Sequence, residues 1–295
     1  MASNSDLSRT ITVGTDGVIR LDATTPEKHE VLDSRQLDLG WADVRMSDDG
    51  KRAVSISVGD LNISKRSRIY VWNLEQDKLD KFAEFELAEG RENAWPVLFA
   101  LGTRLLYGNQ IWDISLPSPT VISDFVQLPP SPAASAVTED GRLVAFATSD
   151  GQLALYATDG SVDRPLTTKK LPSSPSSLSF SPDGRRLVAL FAGGIGTVWD
   201  LADGQLAEAR QLPGQWQIPP GGPPYHMTSA IFSRDGHRVH FSGWGGVGEW
   251  NLDENKVTRF WPLPGFATLT MANDDRHLIL NNSNCTTWIL RLTEP

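Results

Sequence analysis

Five histidines and one cysteine are the residues with which this chain could ligate a metal or build a nucleophilic centre. His29, His226, His237, His240 and His277 form no zinc-type spacing with one another or with Cys285. His237 and His240 are three apart, which on a strand sends their side chains to opposite faces. No Gly-x-Ser-x-Gly nucleophile elbow occurs. Gly243, Gly245 and Gly248 fit Gly-x-Gly-x-x-Gly, but a dinucleotide fingerprint needs a helix after the glycines, and Glu249-Trp250-Asn251 continue as strand. The aspartates fall mostly in turns, so no pair of catalytic carboxylates stands out. The sequence therefore predicts no metal, no cofactor and no catalytic residue. What remains are aromatic and basic side chains on long loops, whose chemistry is that of gripping a partner.

Turns and strands set out at a steady interval must position those loops. Turn tetrads end at Gly50 (SDDG), Gly141 (TEDG), Gly184 (SPDG) and Gly236 (SRDG), with a variant NDDR ending at Arg276. Asp-Gly suits a tight turn, because Gly accepts positive φ and the carboxylate bonds nearby amides. An apolar strand precedes each tetrad and another follows, such as RLVAFA from Arg142, which reads as a hairpin. A third strand follows, as VWNL, IWDI, LYAT, VWDL and EWNL, carrying Trp72, Trp112, Tyr156, Trp199 and Trp250. The distance from Gly141 to Tyr156 equals that from Gly184 to Trp199, and Gly236 to Trp250 is one shorter. A fourth strand closes the unit, as in QLAEARQL from Gln205. No stretch makes an amphipathic helix of ordinary length, so the class is all-β.

These residues resemble the WD-repeat family, whose four-stranded units end their third strand in Trp-Asp. Trp199-Asp200 and Trp112-Asp113 keep the pair, Trp72-Asn73 and Trp250-Asn251 are one step away, and Tyr156-Ala157 and Leu290-Arg291 are degenerate. The resemblance implies a β-propeller of about seven blades over residues 10–292, after an N-terminal tail of residues 1–9. The units centre on 8–35, 36–88, 89–126, 130–170, 172–212, 226–263 and 264–292. The family's opening Gly-His pair is missing, so its buried Asp-His-Ser-Trp network is not expected. The first blade opens on second- and third-strand sequence, and the last stops at the third strand, TTWILRL. Either both blades are one strand short, or the chain is cut from a longer repeat-containing protein, such as the regulatory repeats of a signalling protein. The five third-strand aromatics are expected to pack structurally between neighbouring blades.

Composition narrows the partner. The 295 residues are 40% hydrophobic and 21% charged with a net charge of −9, and lack the clustered Lys and Arg that nucleic acid requires. No apolar run approaches membrane-span length. A lone cysteine and a start without a signal-peptide pattern point to a cytoplasmic, monomeric protein.

The architecture puts the loop VGDLNISKRSR (Val58 to Arg68) and the loop PGQWQIPPGGPPYH (Pro213 to His226) on one face. The second carries Trp216, Tyr225 and His226 among prolines, and Trp244 lies in GWGG nearby. Preorganised aromatics anchor partners by burying large area at low entropy cost. Lys65, Arg66 and Arg68 add a basic patch, so the expected partner is a protein or peptide presenting acidic groups. Trp216 and Trp244 have a second reading, as covers for their own blades. The rival function is a hydrolase- or lactonase-like enzyme acting at the central channel. The expected innermost strands, ADVRM, PVLFA, AASAV, SLSF, TSAIF and TLTM, oppose it, because only Asp43 and Arg45 in them are charged.

Overall fold

The computed structural model of the chain describes residues 2–292 apart from 5, 7, 15, 25–28, 38–40, 48, 59–67, 87–96, 100–101, 126–127, 129–131, 159–163, 192–193, 214–226, 244, 264–266, 272–275 and 283–286. All regular structure among the described residues is β-strand. The chain divides into two compact units, 1–131 with 272–274, and 132–271 with 275–295.

The first unit holds three sheets. Sheet 1 is β1 (Ala2–Ser3), β2 (Arg9–Val13), β3 (Val18–Thr24) and β4 (His29–Gln36). Sheet 2 is β5 (Trp41–Met46), β6 (Arg52–Val58), β7 (Arg68–Asn73) and β8 (Asp80–Glu86). Sheet 3 is β9 (Val97–Phe99), β10 (Arg104–Tyr107), β11 (Gln110–Asp113) and β12 (Thr120–Asp124).

The second unit holds four. Sheet 4 is β13 (Ala134–Val137), β14 (Leu143–Ala147), β15 (Gln152–Ala157) and β16 (Thr167–Lys170). Sheet 5 is β17 (Pro175–Phe180), β18 (Arg186–Phe191), β19 (Ile195–Ala202) and β20 (Gln205–Gln211). Sheet 6 is β21 (Met227–Phe232), β22 (Arg238–Gly243), β23 (Gly246–Asn251) and β24 (Lys256–Pro262). Sheet 7 has three strands among the described residues: β25 (Ala267–Met271), β26 (His277–Asn282) and β27 (Thr287–Arg291). Each sheet is an antiparallel meander in chain order.

The tetrads are small hydrogen-bonded knots. The hydroxyls of Ser47, Thr138, Ser181 and Ser233 donate to the aspartate two residues on, at 2.5–2.7 Å. The same carboxylates accept the amides of Lys51, Arg142, Arg185 and His237. Each hydroxyl oxygen also accepts the amide that opens the second strand, from Arg52, Leu143, Arg186 or Arg238. Gly50, Gly141, Gly184 and Gly236 take φ of +68° to +72°, where a Cβ would clash with the backbone.

Residues 1–9, expected as a tail, instead supply the first strand of sheet 1. Ala2 and Ser3 pair with Ile11 and Thr10, so this blade is not short. Asn4 stands where other sheets have Ser or Thr: its Nδ2 donates to Asp6 at 2.7 Å and its Oδ1 accepts the Arg9 amide at 2.9 Å. The last tetrad also needs a correction. The Leu292 amide donates to Arg276 O, as Leu201 does to Arg185 and Leu252 to His237. Arg276 is therefore the counterpart of Arg185 and His237, the residues that follow the glycine, and not of the glycine itself.

Successive sheets pack through the third-strand aromatics. Trp72 is buried among residues of sheets 1 and 2, Trp199 among sheets 4 and 5, and Trp250 among sheets 5 and 6. Trp112 is half-buried against sheet 2, its ring 4.8 Å from that of Phe85, and Tyr156 is buried edge-on to Phe146. The Trp72 indole N–H donates to Ser55 Oγ at 2.9 Å. Polar links tie neighbours as well. Arg9 and Arg186, at equivalent positions, donate to the carbonyls of Gly50 and Gly236 in the next sheet's turn. Ser177 and Ser229 accept the Ala230 and Leu269 amides from the first strand of the following sheet.

Sheet 6 buries an ionisable pair. His240 Nε2 lies 3.2 Å from Glu249 Oε2, and Thr258 donates to Glu249 Oε1 at 2.6 Å. Burial pushes the Glu249 carboxyl up, but the bonds from His240 and Thr258 and the nearby cationic charge outweigh it and hold the pKa at about 2.

Two outcomes follow. Asp183→Ala removes the acceptor shared by Ser181 and Arg185 and is expected to cost about 1–2 kcal/mol in urea unfolding, read as a lower midpoint at unchanged slope. Because the folded pKa of Glu249 lies below its ordinary 4.5, its stabilisation is complete above that value and is lost as the pH falls towards 2. Glu249→Gln should flatten the fall in stability between pH 4.5 and 2; an unchanged acid profile would contradict this account.

Candidate functional site

Of the seven residues predicted to bind a partner, Trp216, Tyr225, His226, Trp244, Lys65 and Arg66 lie outside the described residues. Arg68 is described. It opens β7, the strand to which residues 59–67 lead. Antiparallel pairing sets it opposite Glu86, and its guanidinium nitrogens lie 3.5 Å from Glu84 and 3.4 Å from Glu86. A hydrogen bond to the Tyr70 hydroxyl and these two carboxylates raise its pKa above the usual arginine value.

Period-two geometry gives Arg68 its neighbours. In RIYVWN, Arg68, Tyr70 and Trp72 alternate with Ile69 and Val71, so they share one face of β7. The Tyr70 and Trp72 rings stack with centroids 5.9 Å apart. Next to Arg68 they line a groove of about 380 Å³. One wall comes from sheet 1, where β4 supplies Arg35 and Gln36; the other comes from Lys81 and Glu84 of β8. Lys81 Nζ lies 2.7 Å from Glu84, which raises the ammonium pKa. Arg35 lies 3.3 Å from Asp33. Burial pushes the Asp33 carboxyl up, yet the amides of Leu79 and Ser34 and the charge of Arg35 hold it below the usual range.

The groove thus has a buried aromatic floor and a rim of three cations, each held by a carboxylate. Exposed pairs of this kind contribute roughly 0–1 kcal/mol. An incoming carboxylate can therefore take the place of Glu84 or Glu86 at little cost. The sequence flagged Arg68 through its basic neighbours in the chain. It missed Arg35 and Gln36, because only the packing of sheet 1 on sheet 2 brings them to Arg68. The alternation in RIYVWN was the available signal for Tyr70 and Trp72.

Little else in the described residues has the form of a reactive centre. No three His, Cys, Asp or Glu side chains there come together as metal ligands do. Asp43 and Arg45, the charged residues singled out on the innermost strands, lie 3.0 Å apart, with Asp43 Oδ1 accepting from Arg45 and Asp43 Oδ2 buried without a hydrogen-bond partner. His240 and Glu249 are sealed inside sheet 6, at 0% and 4% exposure, beyond the reach of a substrate.

No protein-family model matches the sequence, and no curated protein does. The chain is similar in structure to the β-propeller domain of Cps50 (Swd1) from Myceliophteria thermophila. That likeness has a TM-score of 0.74 at 14% identity, over 99% of this chain and 96% of that one. At this identity the likeness carries the fold alone: the seven sheets are the blades of a β-propeller.

Proposed function

We propose that this chain is a non-catalytic interaction scaffold that grips a protein or peptide partner through carboxylates, along the Arg68 groove and the adjoining segment 59–67. The observation that carries this reading is the rim of Arg35, Arg68 and Lys81, paired at the surface and standing over an aromatic floor. A rigid sheet presenting long connecting segments suits binding, since strands fix geometry while loops supply contacts. The β-propeller fold agrees with the reading without identifying the partner. Trp216, Tyr225, His226 and Trp244, with Lys65 and Arg66, are proposed from the sequence as further anchors and charges. A cytoplasmic location fits the single cysteine.

Immobilised wild-type chain and two variants provide the test. Arg68→Glu should weaken capture of an acidic partner about tenfold and reduce the salt dependence of what remains. The triple variant Trp216→Ala, Trp244→Ala, Arg66→Ala should lose that partner while keeping the wild-type unfolding midpoint. If both variants retain every partner of the wild type, the proposal fails.

A further inference from the structure

The carboxylates around the Arg68 groove differ in what holds them. Asp33 is fixed by the backbone: its Oδ2 accepts the Leu79 amide at 2.9 Å and its Oδ1 the Ser34 amide at 2.8 Å. Glu84 has no such anchor. Among the described residues its side-chain partners are Arg68 at 3.5 Å, through one carboxylate oxygen, and Lys81 at 2.7 Å, through the other. Two of the three rim cations therefore share one carboxylate that no other described group restrains. The charged side chains described along the groove are Arg35, Arg68 and Lys81, against Asp80 and Glu84.

A bulge brings Lys81 and Glu84 together. Residues three apart on a regular strand send their side chains to opposite faces. On β8 the register passes from the pair Trp72–Lys81 to the pair Val71–Ala83, which leaves Phe82 as an extra residue. Lys81, opposite Trp72, and Glu84, opposite Tyr70, therefore both join the face of the aromatic floor. Sheets 3 and 6 have a register shift at the same place. The counterparts of Lys81 and Glu84 are Val121 and Asp124 in sheet 3, and Val257 and Phe260 in sheet 6. The fold thus supplies the bulge without requiring the lysine–glutamate pair.

We propose that Glu84 is a built-in competitor: in the free chain it fills the place of a partner's carboxylate, and an acidic segment displaces it by bringing two carboxylates on alternate residues of an extended stretch. This rests on the reading of the groove as a carboxylate-binding surface. Glu84 and Glu86, alternate residues of β8, both reach Arg68, so the groove already accepts that spacing. A single carboxylate in the place of Glu84 makes the same contacts with Arg68 and Lys81. It also leaves Glu84, tethered to β8, beside it as a like charge, so the exchange returns no net attraction. Two carboxylates give Arg68 and Lys81 one each, which offsets the repulsion. Glu84 thereby selects against partners with isolated acids, a discrimination that a repulsive group supplies.

The test titrates two end-blocked peptides, Gly-Glu-Val-Glu-Gly and Gly-Glu-Val-Gln-Gly, into the full chain and follows the Arg68 Nε–H resonance. The wild type should bind the two-acid peptide about fivefold more tightly than the one-acid peptide. Glu84→Gln should bind both about fivefold more tightly than the wild type and narrow the gap between them, at an unchanged unfolding midpoint. Added salt should shrink that gain. Glu139→Gln, which changes the net charge equally from the turn between β13 and β14, should leave both affinities as they are. The groove reading and this inference fail together if neither peptide binds the wild type or Glu84→Gln. The inference alone fails if the peptides bind and Glu84→Gln gains nothing, if Glu139→Gln gains as much, or if the wild type does not distinguish the two peptides.

Discussion

The register of each sheet is set at the turn between its first two strands, and the rest of the structure depends on that register. Side chains alternate along a strand, so a slip of one residue would carry an entire apolar row to the wrong face. Ser181, Asp183 and Gly184 prevent the slip locally. The hydroxyl and carboxylate occupy four backbone and side-chain partners between them, and the glycine takes the left-handed conformation that closes the turn. A knot built from residues within six positions of one another forms without help from distant parts of the chain. It then dictates that Phe180 faces Leu187 and that Ser179 faces Val188.

Once register is fixed, packing between sheets follows. Trp199 sits where the third strand meets a bulge with the fourth, and the bulge turns its ring towards sheet 4. The same irregularity accompanies Trp72, Trp112 and Trp250. Sheet 1 has Asp22 at that place, opposite Thr10 and 3% exposed. The arginine and serine links then join one sheet's turn or first strand to the next.

The sequence made these features legible in proportion to how local they are. Four tetrads and five third-strand aromatics could be read directly, because each motif contains its own partners. The opening NSDLSR could not. An amide side chain at Asn4 does the work of a hydroxyl, and NSDLSR contains no glycine, so the composition signal vanishes while the hydrogen bonds persist. In the last blade NDDR contains no glycine, so the cue that marks the register elsewhere is absent. The His240–Glu249 pair was invisible for another reason. Nine residues separate the two in sequence, and only the pairing of β22 with β23 sets them opposite each other. Arg35 and Arg68 required packing between two sheets, which no local pattern encodes.

In the proposed function an acidic protein receives an acidic partner. At a net charge of −9 the chain repels such a partner at long range, but the Debye length at physiological ionic strength is about 8 Å. Beyond that distance the repulsion is largely screened. Moderate salt therefore weakens the distant repulsion before it weakens the contact. The carboxylates of Asp33, Glu84 and Glu86 keep the three cations extended and oriented, so little side-chain freedom is lost when a partner's carboxylate replaces them. In that proposal selectivity rests on spacing: the cations are set by strands β4, β7 and β8, so the proposed partner presents its acids at the interval those strands impose.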